Sequence, residues 1–274
     1  MALMVGTGPF AYAPAGVFNF DCETPGHVLY FEPTPRRIRV VVCGQGIAES
    51  DRAMLLHETG LMPVYYLPEE DVRTDLLAAT EQSTHCPFKG DASYWTIRVG
   101  GEERENAVWS YPEPLPQAPP LSGYLAFEWD AVDEWWEEAE RIGVHPRDPY
   151  HRCDVVRSDR HVVVRVGGEV VADSTRPTLL FETGLPPRFY LPHDDVRVDA
   201  LQRSDLQTSC PYKGTTSRYY TAEAGGERLE NVAWAYDEVH AEVRGIEGLV
   251  AFYNEKVDVE VDGRPWTRPQ TPFS

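Results

Sequence analysis

Short stretches of alternating apolar and polar residues, cut by Gly or Pro, run through most of this chain. Alternation with a period of two puts successive side chains on opposite faces of an extended backbone, so the pattern predicts antiparallel strands with little helix. Residues 38–42 are a β-branched run ending at Gly44-Gln45-Gly46, and Gly167-Gly168 predicts the equivalent hairpin turn, with Glu169 opening its return arm. Residues 62–67 predict a strand stopped at Pro68. Residues 92–99 and 107–111 flank Gly100-Gly101 as another hairpin, and residues 121–129 and 249–252 predict late strands. Residues 257–262 alternate Val with Asp or Glu, one face apolar and the other acidic. Two stretches predict helix. Pro68-Glu69-Glu70-Asp71 has the composition of a helical first turn. Residues 131–140 lack Gly and Pro and are rich in Glu, which predicts a short acidic helix held to a domain by Trp135-Trp136.

The same pattern is written twice. Leu55-Leu56-x-Glu58-Thr59-Gly60-Leu61-x-Pro63 returns as Leu179-Leu180-x-Glu182-Thr183-Gly184-Leu185-x-Pro187. Tyr66-Leu67-Pro68-x-x-Asp71-Val72-Arg73-x-Asp75 returns from Tyr190 to Asp199, and Thr84-x-Cys86-Pro87-x-Lys89-Gly90 returns from Thr208 to Gly214. The offset is 124, and 20 of the 36 positions from Leu55 to Gly90 are identical in the second copy. One residue is then inserted, so that Trp109-x-Tyr111 matches Trp234-x-Tyr236 at an offset of 125. Each copy is long enough to bury a core of its own. The expected organisation is an extension over 1–25, a first repeat over 26–130, a helical connector over 131–149, a second repeat over 150–264 and a tail over 265–274. The expected fold class is mostly β, two tandem antiparallel domains with minor short helices.

Composition sharpens the picture. The chain holds 21 Gly and 23 Pro in 274 residues, the turn formers that short strands need. Its formal net charge is −19, with no basic block to displace counterions from phosphates, so neither nucleic acid nor an anionic membrane is an expected partner. Five cysteines (Cys22, Cys43, Cys86, Cys153, Cys210) form no C-x-x-C pair, and the first 18 residues lack a basic leader. A cytoplasmic protein is expected.

Three constellations could carry chemistry. In Thr-x-Cys-Pro-x-Lys-Gly, a Lys three residues beyond Cys86 or Cys210 would favour a thiolate nucleophile; the structural alternative is a small buried Cys in a shaped turn. Glu58, Asp71, Arg73 and Asp75, repeated as Glu182, Asp195, Arg197 and Asp199, could do acid–base work, bind a polar ligand, or serve only as an ion-pair network. Glu58 lies between apolar runs and is the carboxylate expected to be buried, with Lys89 or Arg73 as its partner. The aromatics Tyr66, Trp109 and Tyr111, with Tyr190, Trp234 and Tyr236, are either core or the lining of a pocket that also uses Lys89 and Lys213. The eight His show no metal-binding spacing, and the Cys never cluster, so no metal and no cofactor is expected.

Taken together, Glu58-Thr59-Gly60, Tyr66-Leu67-Pro68-x-x-Asp71-Val72, Thr84-x-Cys86-Pro87-x-Lys89-Gly90 and Trp109-x-Tyr111-Pro112 resemble the bacterial domain-of-unknown-function family 427, and both copies carry the likeness. At two positions the second copy departs from the pattern: Asp237 stands for Pro112, and Arg218 is expected where Tyr94 lies. The resemblance implies a β-tent fold, two sheets meeting along an edge. A nucleotidyltransferase label has been attached to that family, but the Gly-Ser followed by Asp-x-Asp of such enzymes is missing from this sequence. The expected function is binding of an unidentified small polar or anionic metabolite in an aromatic-lined pocket of each repeat. The alternatives are a hydrolase or transferase using Cys86 and Cys210 or Glu58 and Asp71, and a non-catalytic interaction protein.

Overall fold

The predicted alternation is realised as antiparallel sheets in two repeats, each with its own core. A computed structural model of the chain describes residues 3–17, 19, 26–271 and 273–274. Cys22 and most of the segment just before the first repeat lie outside the described residues. The first repeat contains β1 (Leu29–Pro33), β2 (Ile38–Val42), β3 (Gln45–Ser50), β4 (Met54–Glu58), β5 (Leu61–Pro68), β6 (Leu77–Cys86), β7 (Gly90–Val99), β8 (Glu102–Ser110), β9 (Tyr124–Phe127), β10 (Glu134–Glu137) and β11 (Glu140–Ile142). The second contains β12 (Cys153–Arg157), β13 (Val162–Val166), β14 (Glu169–Ser174), β15 (Thr178–Glu182), β16 (Arg188–Leu191), β17 (Leu201–Ser204), β18 (Ser209–Cys210), β19 (Gly214–Thr215), β20 (Arg218–Ala224), β21 (Glu227–Ala235), β22 (Val250–Phe252), β23 (Asp258–Val261) and β24 (Arg264–Trp266). Helix among the described residues is confined to short 3-10 segments, including Glu69–Asp71 after Pro68.

Each repeat has a seven-stranded and a four-stranded sheet. In the first they run β1-β4-β5-β9-β8-β7-β6 and β11-β10-β2-β3; in the second, β12-β15-β16-β22-β21-β20-β17 and β14-β13-β23-β24. One face of the large sheet packs on the small one. Leu55, Tyr65, Val108, Leu125 and Phe127 meet Ile38, Val40 and Trp135 in that core, while their strand neighbours Leu56, Tyr66, Trp109 and Ala126 point to the opposite face and form a second cluster. The second repeat divides its side chains in the same way. This second face of the large sheet is where the repeated motifs meet.

The acidic helix expected over 131–140 is not formed. Residues 134–137 are strand β10, which pairs with β2 in the register Trp135 to Val40. The alternation decides it: Trp135 is 3% exposed and stacks on Trp129 at 4.7 Å, while Trp136 turns outward beneath the Arg39 guanidinium. The buried carboxylate of Glu137 completes the strand, accepting from Tyr65 at 2.5 Å and lying 3.1 Å from the partly exposed Arg36. The Val257–Asp262 alternation is realised as β23, which pairs with β13 in the same way, Val259 facing Val164.

Candidate functional site

The turn that carries Cys86 is built to return Lys89 to the sheet. The Lys89 amide donates to the Cys86 carbonyl at 3.3 Å, with Pro87 pre-setting the backbone between them. Gly90 then takes φ +107°, where a Cβ would come within 3.3 Å of the Glu113 carbonyl oxygen. Lys89 is thereby aimed at β4, and its ammonium pairs with the carboxylate of Glu58, the last residue of that strand. The second copy repeats each step. Lys213 donates its amide to Cys210 at 3.3 Å, Gly214 takes φ +111°, and Lys213 Nζ sits 2.6 Å from both oxygens of Glu182.

Glu-Thr-Gly contributes the other half. Thr59 Oγ1 accepts from the Val28 amide at 3.0 Å, and Thr183 Oγ1 from the Arg152 amide at 2.9 Å, which fixes the chain entering the first strand of each repeat. The residue just before is a histidine in both copies. His27 Nε2 lies 2.9 Å from Glu58 Oε1, and His151 Nε2 lies 3.1 Å from Glu182 Oε1. Each imidazole also stacks on the aromatic residue of the Cys-Pro-x-Lys turn, Phe88 at 3.7 Å and Tyr212 at 3.8 Å. His27 and His151 do not stand out in the sequence, because the residues around them differ between copies; their spacing of 124 was the available signal.

A Glu–Lys–His group thus sits at one edge of the aromatic face. Lys89 Nζ lies 5.7 Å from the centre of the buried Tyr111 ring, and Trp109 Nε1 is 3.4 Å from Tyr66 Oη. Cys86 packs into the same cluster. Among the described residues no hydrogen bond joins Cys86 or Cys210 to a histidine.

The electrostatics of the second copy are those of a locked ion pair. Burial would raise the Glu182 carboxyl, but His151 and Lys213 hold it down at about 2. Burial would depress the Lys213 ammonium, yet Glu182 keeps it above the ordinary lysine value. Burial pushes the phenol of Tyr190 up to about 12 and raises those of Tyr66, Tyr111 and Tyr236 as well. Near neutral pH the carboxylate stays charged, the ammonium stays charged and the phenols stay neutral.

Asp71, Arg73, Asp195 and Arg197 are not brought to this face. Asp71 accepts from Ser50 Oγ and Arg52 at 2.7 Å, and Asp195 accepts from Ser174 Oγ at 2.7 Å and Arg176 at 2.8 Å. Arg73 and Arg197 are exposed and pair with Asp75 and Asp199. These residues brace the 3-10 turns against β3 and β14, where Val72 and Val196 bridge to Ala48 and Ala172.

The copies differ in what covers the aromatic face. Tyr219, not Arg218, takes the place of Tyr94: it pairs with Trp234 as Tyr94 pairs with Trp109, because the extra residue precedes it. In the first repeat Trp109, Tyr94, Phe31 and Tyr124 remain half-buried. In the second, Arg188 stands where the first has Val64. Its guanidinium lies 5.4 Å from the Trp234 ring and 5.6 Å from Tyr253, held by a two-point ion pair with Glu255 at 2.8 and 3.0 Å. Tyr253 also lies 4.5 Å from Trp234 and bonds Tyr219 through its hydroxyl. Trp234 is left 6% exposed.

A family model described as a domain of unknown function, DUF427, matches residues 30–138 and again 154–263, most of the chain. The chain belongs to this family. The first match runs past β10. A comparison with curated proteins finds no match. Among the described residues no helix is long and apolar enough to cross a membrane.

Proposed function

We propose that this tandem DUF427 chain is a small-molecule binding protein whose working site is the aromatic face of the first repeat. The observation that carries this reading is the contrast between copies: Trp109 and Tyr94 are half-buried, whereas their counterparts Trp234 and Tyr219 are covered by Arg188 and Tyr253. Half-exposed indole and phenol rings beside a buried charged group give a surface for stacking with a polar edge, the common make-up of a ligand site. Lys89 is already neutralised by Glu58, so a polar ligand with a flat face suits the site better than a bare anion.

Binding is favoured over catalysis because Glu58, the carboxylate beside the aromatic face, is already committed to Lys89 and His27. Its counterpart Glu182 in the second repeat is held at about 2, far from the operating pH at which a general acid or base works best. Non-catalytic binding also accounts for Cys86 lying in the cluster without a hydrogen-bonded histidine.

The test is a metabolite library screened by thermal shift against the intact chain, with hits repeated on Trp109→Ala and Trp234→Ala. Ligand-induced stabilisation is expected to vanish in the first variant and survive in the second. A hit that survives Trp109→Ala and is lost with Trp234→Ala would place binding in the other repeat and overturn the reading.

A further inference from the structure

The second repeat holds a group of side chains that the first lacks. His151, Cys153 and Glu182 each offer a metal-ligating atom, and these atoms all lie within 4.8 Å of one another. The backbone explains why. Cys153 opens β12 and pairs directly across the ladder with Glu182 on β15, and side chains directly opposite in an antiparallel pair stand side by side. His151 precedes Cys153 by two residues, the spacing that returns a side chain to the same face of an extended chain. A His-x-Cys segment and a cross-strand Glu therefore converge from two strands.

The contacts radiate from one atom. His151 Nε2 lies 3.1 Å from Glu182 Oε1 and 3.6 Å from Cys153 Sγ. In a catalytic relay the nucleophile and the carboxylate would use the two different ring nitrogens. Here a single nitrogen faces both, which is the arrangement of three donors around a common point. Bond lengths of roughly 2.0–2.3 Å in a tetrahedral zinc site put its ligand atoms about 3.3–3.8 Å apart, close to the two separations found.

We propose that His151, Cys153 and Glu182 form a zinc site present in the second repeat only. Zn²⁺ takes thiolate, imidazole and carboxylate ligands, and three protein ligands leave a fourth position for water. On binding, the Cys153 S–H bond breaks, its proton leaves to the buffer, and the sulfur electron pair forms the Zn–S bond. Glu182 Oε1 exchanges its contacts with His151 and Lys213 for the metal, while Lys213 stays on Oε2, 2.6 Å away. The first repeat is a built-in control: His27 and Glu58 are placed alike, but Leu29 faces Glu58 across the ladder where the second has Cys153.

The experiment uses the intact chain, stripped of metal by a chelator and titrated with Zn²⁺ by calorimetry and with Co²⁺ by absorption. One equivalent should bind, with a thiolate-to-cobalt charge-transfer band. Cys153→Ser should abolish the band and weaken zinc binding by about 100-fold or more, at least the loss that removing a supporting residue alone brings. Leu29→Cys gives the first repeat the same three groups and should add a second equivalent with the same band. Absence of saturable binding, or a band unchanged in Cys153→Ser, would overturn the proposal, as would a Leu29→Cys chain that still binds one equivalent. Trp109→Ala should leave zinc binding intact, which separates this site from the ligand site of the first repeat.

Discussion

At the scale of the residue, the buried ion pairs set what each site can do. Glu182 is held at about 2, below the ordinary glutamate value of 4.5, chiefly because His151 and Lys213 outweigh its burial. A carboxyl depressed in the folded state stabilises the fold fully above its unfolded value and loses that contribution as pH falls toward the folded value. The second repeat is therefore expected to lose about 3 kcal/mol between roughly pH 5 and pH 2 from this group alone. Denaturant midpoints of the wild type and Glu182→Gln measure it. The variant should start about 3–5 kcal/mol less stable, with Lys213 left buried and unpaired, and should show a shallower acid slope. Parallel slopes would rule Glu182 out as the titrating group. The residue scale is also where sequence reasoning reached furthest into the site: of the two partners expected for Glu58, Lys89 meets it and Arg73 pairs elsewhere. His27 was hidden because a strand entrance held by Thr59 leaves no motif of its own, and Asp71 was misplaced because a repeated carboxylate looks the same whether it braces a turn or lines a pocket.

At the scale of the element, β10 shows how the small sheet is held. Trp135 fills the space between the sheets, edge-on to Phe127 at 6.2 Å and stacked on Trp129. Trp135→Ala should cost the first repeat about 3–5 kcal/mol through the cavity it leaves. Hydrogen exchange reads the effect: amides of β2 and β10 should lose protection, while β13 and β23 keep theirs. Equal loss in both repeats would contradict the separate cores. The strand escaped prediction because Glu-Trp-Trp-Glu, without Gly or Pro, suits a helix as well as a strand by composition; only pairing with β2 decides. Its counterpart β23 alternates Val with acids and was legible. Edge strand β6 went unseen for another reason: none of its residues is fully buried, so it carries no apolar face to betray it. The hairpins of β2–β3 and β7–β8, with both a buried face and glycine turns, were plain.

At the scale of the whole molecule, charge governs which macromolecules can approach. With a net charge of −19 and many of its arginines tied in ion pairs, the chain carries no basic block to release counterions from a phosphate backbone. Duplex DNA and phosphatidylserine vesicles should leave it unbound even at about 0.01 M salt, where screening is weakest. A mobility shift or co-sedimentation under those conditions would contradict this. The duplication has its own consequence. The second copy gains a residue before Tyr219 and loses one between Phe252 and Val259, so the offset of 125 at Trp109 and Trp234 returns to 124 at Trp135 and Val259. The two slips cancel, and the stretch between them behaves as a cassette. A chimera joined inside it at a constant offset of 124 would shift β7–β9 by one position and turn every inward side chain out. Joined outside both slips, the same segment can pass from one repeat to the other in frame, carrying the aromatic face with it.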